Sequence, residues 1–265
     1  MRSCNVGSLF EGPLMIQKSK KIGLAVVFLL LGTSYCQNLS ASDLCYPEVF
    51  GNNWKKAGLF VRENESWMSE LLRENEVDYH LVLSMVFPEL VRYSAIRDRM
   101  ETTLLKALYV HFGADYANFS IGVFQIKPSC AEEVLREIPG LQDKTLLSHF
   151  KAINSSISDD EKRSIIVKEL EDVRSQLIYV AAIVKILNQK YRNYKWNSDL
   201  DKVKFYATAY NCGFSNSEAY IRQQMNATTF HTGLIKSENH YCYAEIAAYY
   251  FHFCIHLFGL KAPLT

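Results

Sequence analysis

The stretch SDDEKRSIIVKELEDVRSQLIYVAAIVKILNQKY, residues 158–191, decides the fold class of this chain. Its apolar residues recur at the three- and four-residue spacing of an α-helix, so the pattern predicts one long helix or two joined ones. Ser158 or Asp159 is suited to cap the first turn, which carries the acidic residues that a helix N-terminus prefers. The most regular part of the sequence is therefore helical.

The chain on either side of this stretch has the same helical character. Two of the further segments end at Gly113 and Gly213, which suit helix C-termini. No alternating strand pattern of useful length, internal repeat or Gly/Ser linker occurs in the sequence. With 265 residues, 49% of them hydrophobic and 22% charged, the chain has the composition of a globular protein. The further predicted helical segments are residues 66–76, 80–90, 100–113, 128–140, 199–213 and 239–259.

The N-terminal 36 residues have the composition of an export signal. Three lysines within residues 18–21 precede the short apolar run IGLAVVFLLLG, residues 22–32, which is typical of a secretory signal peptide and too short for an ordinary transmembrane helix. We place the cut after Cys36 and the folded domain at residues 37–265; Met15 is an alternative start. Cys36 could instead carry a lipid, although Tyr35 fits a lipobox poorly. The sequence thus predicts a protein of the periplasm or cell envelope.

Charge and cysteine content narrow the function classes further. Removing the net +3 of residues 1–36 from the formal +1 of the chain leaves −2 for the domain, so nucleic acid is a poor candidate partner. Five cysteines remain in an odd count, without a CxxC pair, so at least one is unpaired unless it pairs between chains. The sequence does not choose a disulfide pair.

Glu89 is the first candidate functional residue. It lies in FPELVRY, residues 87–93, directly after an apolar segment. Apolar surroundings raise the pKa of a carboxyl group, which can then act as a general acid near neutral pH. Arg92 beside the acid would lower that pKa, so we expect Arg92 to point away from a catalytic Glu89. Taken alone, Glu89 could equally be an exposed carboxylate at a helix end.

Two further segments place polar side chains where a ligand could meet them. In FSIGVFQIKPS, residues 119–129, Gln125 interrupts an apolar run, and Gly122 would let the backbone approach a ligand closely. In ATAYNCGF, residues 207–214, Tyr210 and Asn211 lie at a helix end and could face a cleft. Taken alone, these residues are also explained as a satisfied core amide and a helix C-cap.

In this order, the three segments resemble motifs of the soluble-type lytic transglycosylases and goose-type lysozymes. The family has a catalytic Glu, then Gly-Leu-Met-Gln-x-x-Pro, then Ala-Tyr-Asn-Ala-Gly. Glu89 matches the first motif, residues 122–128 the second and residues 209–213 the third. A weaker match in residues 238–246 aligns Tyr243 with a family tyrosine. The resemblance covers about residues 80–250 and implies an all-α, lysozyme-like transglycosylase domain.

Some residues depart from the family pattern. Leu90 replaces the serine that follows the family's catalytic Glu, and Cys212 replaces a small alanine. Residues 96–118 add a predicted helix and loop, so that the gap between Glu89 and Gln125 is about twice the usual one. These departures indicate a divergent branch, with an altered cleft or lost activity.

The resemblance implies cleavage of the β-1,4 bond between N-acetylmuramic acid and N-acetylglucosamine in peptidoglycan, without a metal or other cofactor. In this family one Glu acts as acid and then base while the substrate's own C6 hydroxyl attacks, giving a 1,6-anhydro product. Gln125, Tyr210 and Asn211 would then position the sugar. The expected partner is the glycan strand, with peripheral contact to a membrane or a wall protein as a further option.

Three alternatives stay open at this stage. A hydrolytic lysozyme would need a second carboxylate, for which Asp98, Glu101 and Asp115 are the candidates between the first two motifs. A non-catalytic glycan-binding or scaffold module could keep the same fold. A helical interaction protein with chance motifs would leave the three motifs apart in space.

Overall fold

The computed structural model describes residues 44–96, 102–156, 158–233 and 239–258. The predicted signal segment, Asp98 and Glu101 lie outside the described residues. Residues from Phe50 onward form one compact unit, and this unit contains every site discussed below. It is mainly helical, which confirms the all-α prediction.

Twelve helices and one small β-ribbon make up the described part of the chain. The helices are α1 (Tyr46–Phe50), α2 (Asn52–Glu74), α3 (Tyr79–Ile96), α4 (Thr103–Phe112), α5 (Pro128–Leu141), α6 (Lys144–His149), α7 (Lys151–Asn154), α8 (Asp159–Glu171), α9 (Val173–Lys190), α10 (Asp199–Cys212), α11 (Glu218–Gln224) and α12 (Tyr243–Phe258). The strands are β1 (Thr228–Phe230) and β2 (Tyr241–Cys242), which pair antiparallel.

The deciding stretch folds as two helices, α8 and α9, with the break at Asp172. The Ser158 hydroxyl accepts from the Glu161 N–H at 3.2 Å and caps α8, as predicted. The Asp172 carboxylate accepts from the Ser175 N–H at 2.8 Å and caps α9. A capping side chain replaces the hydrogen bonds that the first N–H groups of a helix lack. The polar run around Asp172 therefore starts a new helix.

Helix α3 is the centre of the core around the candidate site. Residues 81–91 are buried without interruption, and α2, α10 and α12 all pack against this helix. A helix that is buried on every side belongs to the interior of a domain. This position explains why the α3 sequence is apolar almost throughout.

Helix ends and strands are where the sequence patterns differ from the structure. Pro88 lies inside α3 and Pro139 inside α5, although both were expected near helix ends. As a result, Glu89 lies in the middle of α3. The β-ribbon was not predicted, because strands of three and two residues are too short to show alternation. Residues 96–118 do contain the expected added helix, α4, which is closed by Gly113 at a φ of 86°.

The odd number of cysteines in the predicted domain leaves free thiols, as expected. Cys45 is in a disulfide bond, and the thiols of Cys130, Cys212 and Cys242 are free. Burial raises the pKa of the Cys212 thiol to about 11. These free cysteines therefore have little thiolate character.

Candidate functional site

Glu89 is a buried carboxylate, because α3 carries it into the core. Its residue surface is only 4% exposed, so the exposed helix-end interpretation is excluded. Burial raises the pKa of Glu89, and the charge of Arg92 is the largest opposing influence. Desolvation disfavours the anion, and a nearby cation favours it. Glu89 therefore has the raised pKa expected of a general acid.

Arg92 points at Glu89, and the expectation that it points away is wrong. Its Nη1 lies 3.0 Å from Oε1 and 2.9 Å from Oε2 of Glu89. The guanidinium also donates from Nε to the His231 carbonyl at 3.2 Å and stacks 4.4 Å from the Phe230 ring centroid. Arg92 lies one helical turn after Glu89, and the β-ribbon that holds it in place is distant in the sequence.

Tyr243 and Tyr210 bring two distant helices to the same carboxylate. The buried Tyr243 hydroxyl donates to the Met85 carbonyl at 3.2 Å and is also close enough to Glu89 to lower the pKa of that carboxyl. Tyr210 also interacts electrostatically with Glu89; burial is the main reason that its pKa is well above the usual value. The first and third motifs, together with Tyr243 of the weaker match, therefore meet around Glu89.

Residues 121–126 form a tight turn that joins the second motif to this cluster. Ile121 and Ile126 exchange N–H···O bonds of 2.9 and 3.1 Å. Between them, the Phe124 carbonyl accepts from the Tyr210 hydroxyl at 2.7 Å. Lys127, directly after the turn, is close enough to lower the pKa of Glu89. The turn thus connects α10 to the neighbourhood of the acid.

Gln125 uses its amide within the turn. Its Nε2 donates to the Gly122 carbonyl at 2.7 Å, and its backbone adopts a left-handed φ of 54°. Only a few per cent of non-glycine residues adopt such a φ. The expectation that the amide is left free for substrate is therefore wrong for its NH2 group, which stabilises the turn instead.

Gly122 leaves the space that the Gln176 side chain occupies. A Cβ at this position would lie 2.0 Å from the Gln176 Nε2 atom, and the backbone φ is 70°. The Gln176 carbonyl oxygen accepts from the Phe124 N–H at 3.1 Å. Gln176 is itself buried on α9. The family-like glycine is thus explained by a core amide that closes the turn.

The other predicted residues lie at the edge of the cluster or beyond it. Asn211 is exposed at the end of α10, and it is not among the described groups that shift the pKa of Glu89. Asp115, a candidate second carboxylate, is exposed. Among the described residues, the charged side chains that act on Glu89 are the cations Arg92 and Lys127. No carboxylate of that part of the chain is among the groups that shift the pKa of Glu89.

Sequence reasoning did not assign a role to Gln176 or Lys127, and it predicted that Arg92 points away from Glu89. Arg92 offered the clearest signal, since residues three apart on a helix are neighbours. Gln176 offered a weaker one, as an amide beside the apolar run of α9. Neither signal could show the contact to the turn or to the β-ribbon, because those partners are 52 and 139 residues away.

The cluster as a whole can hold a proton and deliver it. One buried carboxyl group interacts with two tyrosine hydroxyls and one guanidinium, and the tyrosines stay protonated because burial raises the pKa of both. Such a set can act as a general acid–base centre.

The described residues contain no group of three or more side chains suited to hold a metal ion. Within the same ranges, no helix has both the length and the apolar character that a membrane span requires. No known protein-family model, curated protein or solved structure matches the chain.

Proposed function

We propose that this protein is a peptidoglycan lytic transglycosylase with a lysozyme-like domain and Glu89 as its single catalytic acid and base. The observation that supports the proposal is that residues distant in the sequence meet around Glu89. Lys127, Tyr210 and Tyr243 follow Glu89 by 38 to 154 residues in the chain, and all three interact with this buried carboxyl group. A helical protein with chance motifs would not bring these segments together.

In this proposal Glu89 first donates its proton to the leaving O4 of N-acetylglucosamine as the C1–O4 bond breaks. The C6 hydroxyl of the N-acetylmuramic acid residue then forms the new bond to C1, and its proton passes to the Glu89 carboxylate. Water is not consumed, so a second carboxylate is not needed. The cationic surroundings of Glu89 agree with a one-acid reaction and would stabilise the carboxylate between the two steps.

In this mechanism the substrate has to displace part of the contact between Arg92 and Glu89. With both Glu89 oxygens paired to one guanidinium, the glycosidic oxygen has to replace one of these contacts. Arg92 is partly exposed, with 23% of its side chain accessible. Its reorientation therefore does not require the core to open.

A non-catalytic glycan-binding module is the second candidate, and the Glu89–Arg92 pair is the observation that favours it. A carboxylate held at two contacts by a guanidinium is a stable structural arrangement. The Gln125 amide, which is bonded within its own turn, also favours the non-catalytic alternative. In this alternative, Arg92 would keep Glu89 from the chemistry altogether.

Export to the periplasm or cell envelope belongs to the same proposal. Its support is the signal-like segment at residues 1–36 and the disulfide bond of Cys45, since disulfides persist in oxidising compartments. The proposed partner is the glycan strand of the wall.

The test is digestion of purified peptidoglycan by residues 37–265, with Glu89→Gln as the matched variant and mass spectrometry of the products. We expect 1,6-anhydro-muropeptides from the natural chain and none from Glu89→Gln. Reducing-end products would identify a hydrolase. If neither chain releases products while both sediment with the wall, the binding module is the correct function.

A further inference from the structure

A cavity of about 430 Å³ lies at the N-terminal ends of α3 and α10. Its walls include Val77 and Leu81 near the start of α3 and Lys202 in the first turn of α10. Glu89 and Tyr210 each follow one of these residues by eight positions, or about 12 Å along a helix. The cavity is thus separate from the Glu89 cluster.

Lys202 is a buried cation without a paired anion among the described residues. Only 8% of its surface is exposed, and its ammonium makes no hydrogen bond or ion pair within that part of the chain; the Tyr206 ring centroid lies 5.8 Å away. Burial lowers its pKa, and the more distant charges of Asp78 and Asp199 only partly oppose that effect. Buried charges are normally paired, because leaving water is costly.

The two carboxylates in the cavity wall, Glu76 and Asp78, already have partners within the protein. Asp78 accepts from the Leu81 N–H at 2.7 Å and caps α3. The Glu76 carboxylate lies 3.7 Å from Lys185 and is mostly exposed to solvent. Arg73 adds a second cation to the wall of the cavity. Two cations are therefore available to an incoming anion.

We propose that this cavity binds a small organic acid, whose anionic group pairs with Lys202 and Arg73 and whose apolar part packs on Val77 and Leu81. The volume is within the range of small-molecule sites. The lining combines these two cations and apolar side chains with the carboxylates of Glu76 and Asp78. A cation beside an apolar surface fits an organic acid better than a bare inorganic ion. Carboxylate and phosphate share this chemistry, and the experiment distinguishes them.

The first experiment measures binding of benzoate, phenyl phosphate and inorganic phosphate to residues 37–265 by isothermal titration calorimetry at constant ionic strength. We expect saturable binding of benzoate or phenyl phosphate, weaker binding of inorganic phosphate, and a loss of at least about tenfold in affinity in Lys202→Met, which corresponds to about 1.4 kcal/mol. Whichever organic probe binds, benzoate or phenyl phosphate, identifies the anionic group as a carboxylate or a phosphate. Lys204→Met is the matched control, because Lys204 is on the same helix but is paired with Glu245 at 2.7 Å.

Absence of saturable binding for all three probes, or equal binding by Lys202→Met, would overturn the proposal. A second measurement does not depend on a folded variant. In the natural chain, the rate of lysine acetylation by acetic anhydride is followed by peptide mass spectrometry with and without the bound probe. Protection of Lys202 but not of Lys204 is expected, and equal rates at both lysines with and without probe would contradict the site.

Discussion

At the residue scale, two opposing effects set the pKa of Glu89: its burial and the charge of the neighbouring Arg92. Burial raises its pKa, and the double contact from Arg92 lowers it again. Opposite charges within about 4–6 Å shift a carboxyl pKa by about 1–3 units. The protonation state of the acid therefore depends on a side chain that is one helical turn away.

We expect Arg92→Met to raise the pKa of Glu89 further. Since a general acid is active only while protonated, the alkaline limb of kcat/KM on peptidoglycan should move upward by about one pH unit or more. The measurement is the pH profile of the natural chain and of the variant. Arg92→Lys, which keeps the charge but loses the double contact, should lie between them. An unchanged profile in Arg92→Met would contradict this control of Glu89.

Gly122 allows a second prediction at this scale. In Gly122→Ala the new methyl group would meet the Gln176 amide at 2.0 Å in a left-handed backbone, so we expect a loss of about 2 kcal/mol or more in the free energy of unfolding. Urea denaturation measures it. Gly140→Ala is the control, because a Cβ there meets nothing within 4 Å. Equal losses in the two variants would show that the Gln176 contact is not the cause.

At the element scale, the hydrogen bond from Tyr210 joins α10 to the 121–126 turn. Tyr210→Phe would leave the Phe124 carbonyl without this 2.7 Å donor, and an unpaired buried acceptor costs about 1–3 kcal/mol. We expect a loss in that range, together with faster amide hydrogen exchange at Ile126. Tyr220→Phe, on an exposed side chain, should leave both measurements unchanged. Slow exchange at Ile126 in Tyr210→Phe would show that the turn is held by other contacts.

At the scale of the whole molecule, Glu89 contributes to the dependence of stability on pH. Its pKa in the folded state is above the ordinary 4.5, so the folded protein binds the proton more tightly than the unfolded chain. The resulting stabilisation is fully present below pH 4.5 and is lost as the pH rises through the folded-state pKa. Its sign is opposite to that of an ordinary salt-bridged carboxylate.

Glu89→Gln removes this titration, so the difference in unfolding free energy between the natural chain and Glu89→Gln should fall as the pH rises above 4.5. Chemical denaturation at a series of pH values measures the slope, and the absolute offset at one pH is not needed. Glu70→Gln, at an exposed position, is the control for the exchange of a carboxylate for an amide. A rising difference would mean that Arg92, and not burial, dominates the carboxylate.

The sequence by itself determined the helical class and most helix positions, because these follow from local periodicity and from capping residues. Its apolar run also indicated Glu89 as a candidate acid, whereas the burial of that acid follows from the packing of α3. Only the tertiary structure decided the partners of the polar side chains. Arg92 meets the β-ribbon, Gln176 closes the 121–126 turn, and Lys202 lies in a cavity between helices. Such contacts join residues that are distant in the chain, so no local pattern encodes them, and their protonation depends on burial that exists only once the helices have packed.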